Sequence, residues 1–60
     1  MSNQLPNDPM LCLSVVNTNL RDFYPSLDEF CKSLQIDKED LICKLKNIDY
    51  HYDAIQNQFI

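Results

Sequence analysis

Apolar residues return along the first part of this chain at helical intervals. Leu13, Val16, Leu20 and Phe23 are separated by three, four and three positions, which places them on one face of a 3.6-residue helix. Met10 extends that stripe by one turn, while Ser14, Asn17, Thr18, Asn19, Arg21 and Asp22 fall mostly elsewhere. Asp8 is a strong N-cap, and Pro9 then occupies the first helical position, where a missing N–H costs nothing. Pro25 ends the helix near Tyr24, because the residue before proline disfavours helical backbone. Residues 1–7 read as a tail, with Leu5 and Pro6 able to pin it onto a single small domain spanning residues 8–60.

Two shorter helices are expected next. Ser26-Leu27-Asp28-Glu29 has the form of a capping box, in which the Ser26 hydroxyl accepts from the Glu29 N–H and the Glu29 carboxylate reaches back to the Ser26 N–H. Leu27, Phe30, Cys31 and Leu34 then share a face, and the helix should stop near residues 33–35. Asp37 opens the third helix, with Asp37, Glu39 and Asp40 at the positive end of its dipole. Leu41, Leu45 and Ile48 form its buried stripe, Ile42 lies on the shoulder, and Lys44 and Lys46 sit near the C-terminal end. Asn47 or Asp49 is the expected exit, in place of the usual glycine.

The period then changes. Tyr50-His51-Tyr52-Asp53 alternates aromatic with polar residues, as a half-buried strand does, and Gln58-Phe59-Ile60 is a second short apolar piece. Residues 54–57 make the loop between them, with Asn57 at a left-handed position. A two-stranded hairpin is marginal alone in water, so Tyr50, Tyr52 and Phe59 must hold it on the helices. The expected fold is α+β and mainly α: three short helices, the second and third in a helix-turn-helix arrangement, followed by a C-terminal β-hairpin in a winged-helix-like layout.

In that layout Phe30, Leu34, Ile36, Leu41 and Leu45 pin the second helix to the third, small Cys31 lies where they cross, and Gln35 holds the turn position that usually carries glycine. The third helix is the one that enters the major groove in DNA-binding members. Its first residues here are Asp37, Lys38, Glu39 and Asp40, and phosphate contacts normally come from Lys, Arg or neutral donors. Lys38 and Lys46 are the candidate DNA contacts under that reading.

Composition narrows the choices. The 60 residues carry a net charge of −4 and contain no glycine and no tryptophan. An acidic surface disfavours nonspecific binding to nucleic acid or to an anionic membrane. No stretch approaches the roughly 20 apolar residues of a membrane span, and the N-terminus lacks the positive region of a secretory signal; a cytoplasmic protein is expected. A domain this short buries only about 60% of the surface of its unfolded chain. It therefore relies on an efficient core or on a partner.

Candidate chemistry is sparse. Cys12, Cys31, Cys43 and His51 would make a four-ligand set by count, but they are separated by 19, 12 and 8 positions, and structural zinc sites bring ligands in close pairs. All three cysteines read as core or near-core thiols, with no disulfide framework. His51 falls on the solvent side of the expected strand, away from any nucleophile signature. The neighbouring acids Asp28 with Glu29, and Glu39 with Asp40, are explained by capping and dipole effects. A phosphate loop needs glycine, and a fold this size leaves little room for a small-molecule pocket. No catalytic residue, cofactor or metal is expected.

Two surface groups stand out instead. Asn17, Thr18 and Arg21 share one side of the first helix with Tyr24 at its end, and Arg and Tyr are favoured at interface centres. The plainer reading pairs Arg21 with an acid such as Asp28 and packs Tyr24 on the core edge. Ile42 and Cys43 are the second group, an apolar pair beyond the buried stripe of the third helix, which Leu5 and Pro6 could equally cover. Arg21, Tyr24, Ile42 and Cys43 are thus the candidate protein interface.

Leu5-Pro6-Asn7-Asp8-Pro9, Val16-Asn17-Thr18, Leu20-Arg21-Asp22, Ser26-Leu27-Asp28 and Asn57-Gln58-Phe59 together resemble an uncharacterised family of short bacterial proteins, a domain of unknown function. The resemblance covers nearly the whole chain and preserves its spacing. It implies a stand-alone small protein and brings no activity with it. The functional expectation is a noncatalytic protein-interaction module with a protein partner or a second copy of itself, and the alternative is a DNA-binding winged helix-turn-helix regulator.

Overall fold

A computed structural model describes residues 5–60. The chain forms α1 (Pro9–Asp22), α2 (Leu27–Leu34), α3 (Lys38–Lys46), β1 (Tyr52–Asp53) and β2 (Gln58–Phe59). The strands make one antiparallel hairpin in which Tyr52 faces Phe59 and Asp53 faces Gln58, and paired bonds between His51 and Ile60 continue the ladder outward. The expected order of helices and hairpin is the one observed. The tail reading for Ser2, Asn3 and Gln4 lies outside the described residues.

Each helix starts where its cap dictates. The Asp8 carboxylate accepts from Met10 N at 3.1 Å. Ser26 Oγ accepts from Glu29 N at 3.2 Å, although the return bond of a full capping box is not made. Asp37 Oδ1 accepts from Glu39 N and Asp40 N at 3.0 and 3.4 Å. A cap of this kind is worth about 1 kcal/mol.

The helix ends show what a chain without glycine must do. After α2, Gln35 has φ 58°, the Ile36 N–H donates to Cys31 O, and the Gln35 N–H donates to Lys32 O. After α3, Asp49 has φ 67°, with Tyr50 N–H donating to Leu45 O and Asp49 N–H to Lys46 O. Both are Schellman closures in which a residue bearing a Cβ takes the left-handed place usually given to glycine.

The core is Cys12, Leu13, Val16 and Leu20 of α1, Leu27, Phe30 and Cys31 of α2, Leu41 and Leu45 of α3, and Phe59 of β2. Leu5, Leu34, Ile36, Ile48, Tyr50 and Tyr52 pack around it, partly buried. Among the described residues no polar side chain is buried. Three expectations fail here. Met10 is 53% exposed and Phe23 is 72% exposed. α1 ends at Asp22, and Phe23 leaves helical geometry with φ −126°, so the stripe loses its period and Tyr24 turns inward instead. Tyr24 meets Phe30 edge-on at 5.4 Å between ring centroids. Cys43 is exposed rather than near the core, because it lies off the Leu41 and Leu45 face of α3.

Candidate functional site

The hairpin is fastened to α1 by two asparagines. Asn17, at the margin of the α1 core stripe, accepts from Phe59 N at 2.8 Å and donates to Phe59 O at 3.1 Å. One side-chain amide thus supplies both bonds that a neighbouring strand would give to β2. Asn57 adopts φ 55°, and its Nδ2 donates to the carbonyls of Leu20 and Tyr24, each at 3.0 Å. Its Oδ1 accepts from the Tyr52 hydroxyl at 2.6 Å, and that hydroxyl accepts from Leu27 N at 3.2 Å. The chain of bonds ties the hairpin turn to the α1 C-terminus and the α2 N-terminus. The turn itself is set by Asp53, whose carboxylate accepts from Ile55 N and Gln56 Nε2, an Asx turn.

The opposite side of α1 is open. Met10, Leu11 and Val15 are 53%, 57% and 36% exposed. The buried side carries Cys12, Leu13, Val16 and Leu20, while the exposed side mixes these three apolar residues with Ser14, Thr18, Arg21 and Asp22. Met10, Ser14, Thr18 and Arg21 also form one wall of an open groove of about 400 Å³, whose other wall includes Tyr50 and Gln58. Arg21 pairs with Asp22 through Nε and Nη2 at 3.0 and 3.2 Å. These bonds hold the guanidinium above its usual pKa range and the carboxylate below its own. The plainer reading gave Arg21 an acid such as Asp28 as its partner; the acid it pairs with is its neighbour Asp22.

Asp28 instead holds Lys38 at 2.6 Å, and that bond raises the Lys38 ammonium above its ordinary range. The first turn of α3 therefore presents Glu39 and Asp40, with its one cation tied to an acid of α2. Lys46 is exposed in the last turn. Lys44 lies on the other edge of α3 and donates to Pro6 O at 2.9 Å, which latches the N-terminal arm. A groove of about 250 Å³ lies between that arm and the start of α3, lined by Leu5, Gln35, Ile36, Asp37, Asp40, Leu41 and Lys44.

The four candidate interface residues are spread over α1, the α1–α2 connection and α3. Arg21 lies on the α1 groove, Tyr24 turns toward α2 with its hydroxyl 3.4 Å from Ser33 Oγ, and half-buried Ile42 and exposed Cys43 lie on α3. Arg21 and Tyr24 therefore do not share a face, because the chain leaves helical geometry between them. Cys12 and Cys31 are buried free thiols, and burial raises the pKa of both. Among the described residues no three of the His, Cys, Asp and Glu side chains come together as a metal set. No helix there is long and apolar enough to cross a membrane. The roles of Asn17 and Asn57 in holding the hairpin were not legible from periodicity, although both belong to the motifs that carry the family resemblance.

Neither a curated protein nor a solved structure matches the chain. A family model does, over residues 6–59. That span takes in the latched arm, all three helices, and both asparagines with the strands they hold. The chain belongs to the family described as Domain of unknown function (DUF4250).

Proposed function

We propose that this protein is a noncatalytic interaction module whose contact surface is the outer face of α1. The observation that carries the reading is the exposure of three large apolar residues, Met10, Leu11 and Val15, in the first half of that helix. A surface helix normally pairs an apolar stripe with a polar face. Here Met10, Leu11 and Val15 face outward while Cys12, Leu13, Val16 and Leu20 face the core. Large apolar residues clustered outward mark a surface that another molecule covers. Met and Arg, both present on this side, are enriched at protein contacts.

Charge favours a protein over DNA as that molecule. The net charge is −4, and Lys38, the cation at the start of α3, is bonded to Asp28. A photoreactive residue replacing Val15, compared with one replacing Gln56 on the hairpin turn, tests the reading in the cells that make the protein. The expected result is a covalent adduct to a protein from position 15 and none from position 56. Absence of any protein adduct at position 15 would overturn it.

A further inference from the structure

We propose that residues 5–7 form a strap that lifts off the start of α3 while the rest of the domain stays folded, the Lys44 ammonium exchanging Pro6 for Asp40 as it does so. Leu5 and Pro6 are half-buried, and Leu5 packs against the rim of the core. Lys44 reaches back 38 positions to donate to Pro6 O at 2.9 Å. Between this arm and α3 the groove of about 250 Å³ is left unfilled, with Leu5 on one side and Ile36, Asp40 and Leu41 on the other.

Little of the fold depends on the closed position. All ten core residues lie at position 12 or later. Asp8 caps α1 through Met10 N, and Pro9 presets the first helical φ, so the helix start is complete without residues 5–7. Asn7 and Asp8, which join the arm to α1, are exposed. Segments with few buried contacts open at a lower free energy than the whole domain does.

The latch has a second place to go. Asp40 stands four positions before Lys44 on α3, the spacing and order in which a carboxylate and an ammonium meet on a helix surface. Both line the groove. Among the described residues Asp40 makes no ion pair, and Lys44 is on Pro6 instead. Once the strap lifts, a change of rotamer takes Lys44 to Asp40, so its charge is met in either position. The part-buried bond to Pro6 O is the stronger of the two, which keeps the closed state predominant.

The three cysteines give the motion a readout. Cys43 is exposed, while Cys12 and Cys31 are buried. Cys12 lies at the start of α1, its N–H on Asp8 O, and the charge acting on its thiol is that of Lys44. The charges acting on Cys31 are those of Lys38, Asp28 and Asp37, at the junction of α2 and α3. A lifted strap therefore uncovers Cys12 and leaves Cys31 covered.

Alkylation of the full chain with iodoacetamide, quenched at intervals and mapped by mass spectrometry, follows all three thiols at once. Cys43 should react first and Cys12 next. Cys31 should react only through global unfolding, with the steeper dependence on urea. Lys44→Met keeps the aliphatic stem, removes the donor, and should speed Cys12 about tenfold. Asn17→Ala weakens the hairpin and not the strap, so it should speed Cys31 at least tenfold and leave Cys12 unchanged. Asp40→Asn takes away the open-state partner and should slow Cys12 about twofold. Circular dichroism verifies that each variant is folded under the labelling conditions. Equal rates and urea dependence at Cys12 and Cys31, equal acceleration of both by Asn17→Ala, or a Cys12 rate unmoved by Lys44→Met would overturn the strap. A Cys12 rate that does not fall in Asp40→Asn would overturn the exchange of partners.

Discussion

Asn57→Ala removes three hydrogen bonds and leaves a Cβ-bearing residue at positive φ. The lost bonds are those from Nδ2 to the Leu20 and Tyr24 carbonyls at 3.0 Å each, and that from Tyr52 to Oδ1 at 2.6 Å. Each is part-buried, and such a bond contributes about 0.5–1.5 kcal/mol net. Alanine tolerates the left-handed region less well than asparagine, which adds about 1 kcal/mol. The three bonds share one side chain and are not independent, so a total of about 3 kcal/mol is expected rather than the sum of the largest values. A domain of this length holds roughly 3–9 kcal/mol altogether, so the variant stands near the edge of unfolding. Urea titration followed by far-UV circular dichroism measures the loss. Asn57→Gly loses the same bonds but accepts positive φ, and should be about 1 kcal/mol more stable than Asn57→Ala. A double-mutant cycle with Tyr52→Phe should show coupling, since the two residues share a bond. An Asn57→Ala midpoint equal to that of the wild type would refute the asparagine's role as the fastening of the hairpin. A glycine variant less stable than the alanine variant would refute the backbone part of the account.

Gln35→Gly should stabilise the domain by about 0.5–1 kcal/mol, because relief at φ 58° outweighs the added chain entropy of glycine; a thermal melt at or below the wild-type midpoint would contradict this. Asn17→Ala frees both backbone groups of Phe59 and should cost about 2 kcal/mol, with faster hydrogen exchange at the Phe59 amide while the amides of α3 keep their relative protection. The buried thiols give a pH dependence. Burial raises the folded pKa of Cys12 and Cys31 above the unfolded value, so the folded state holds more protons through the thiol range. Stability is then intact below that range and falls as pH rises through it, from about pH 8.5 upward. In a Cys12→Ala, Cys31→Ala chain that alkaline slope should be shallower, and an unchanged slope would assign it to other groups.

Local signals decided most of the fold. Asp8, Ser26 and Asp37 cap the three helices as the sequence implies, since a cap depends on residues within one turn. The left-handed positions at Asp49 and Asn57 were also readable, because a chain without glycine gives such places first to Asn and Asp. Gln35 was harder: only its place in the helix-turn-helix spacing pointed to it. Phe23 was misplaced because periodicity assumes that a helix continues, and α1 ends at Asp22; Met10, although inside α1, lies about a quarter turn from the centre of the Cys12, Leu13, Val16 and Leu20 face. Cys43 was misplaced because cysteine is usually buried and here sits off the α3 stripe. The Asp28–Lys38 pair depends on how α2 and α3 meet, which local pattern does not carry, whereas Arg21 pairs with its sequence neighbour Asp22. Asn17 reaches 42 positions along the chain to Phe59, and nothing near residue 17 announces that distance.

The devices that build this fold also bear on which surface is left for a partner. A wing that reads nucleic acid needs a hairpin free to reach outward, beside a basic recognition helix. Here the outward bonding groups of Phe59 are spent on Asn17, and the hairpin turn is tied through Asn57 to the ends of α1 and α2. Lys38 is spent on Asp28, and Lys44 on the N-terminal arm. Of the two candidate DNA contacts, Lys38 is thus engaged within the chain and Lys46 stays exposed. The outward stripe of α1 that holds Leu11 and Val15 takes no part in these tertiary ties. For a chain of 60 residues, whose stability margin is thin, covering that stripe does two things at once. It removes apolar surface from water, and by mass action it adds to the stability of the folded state whenever the partner is present above its dissociation constant. Association and folding are then linked through the same helix, which contributes four of the ten core residues on one side and the proposed contact on the other.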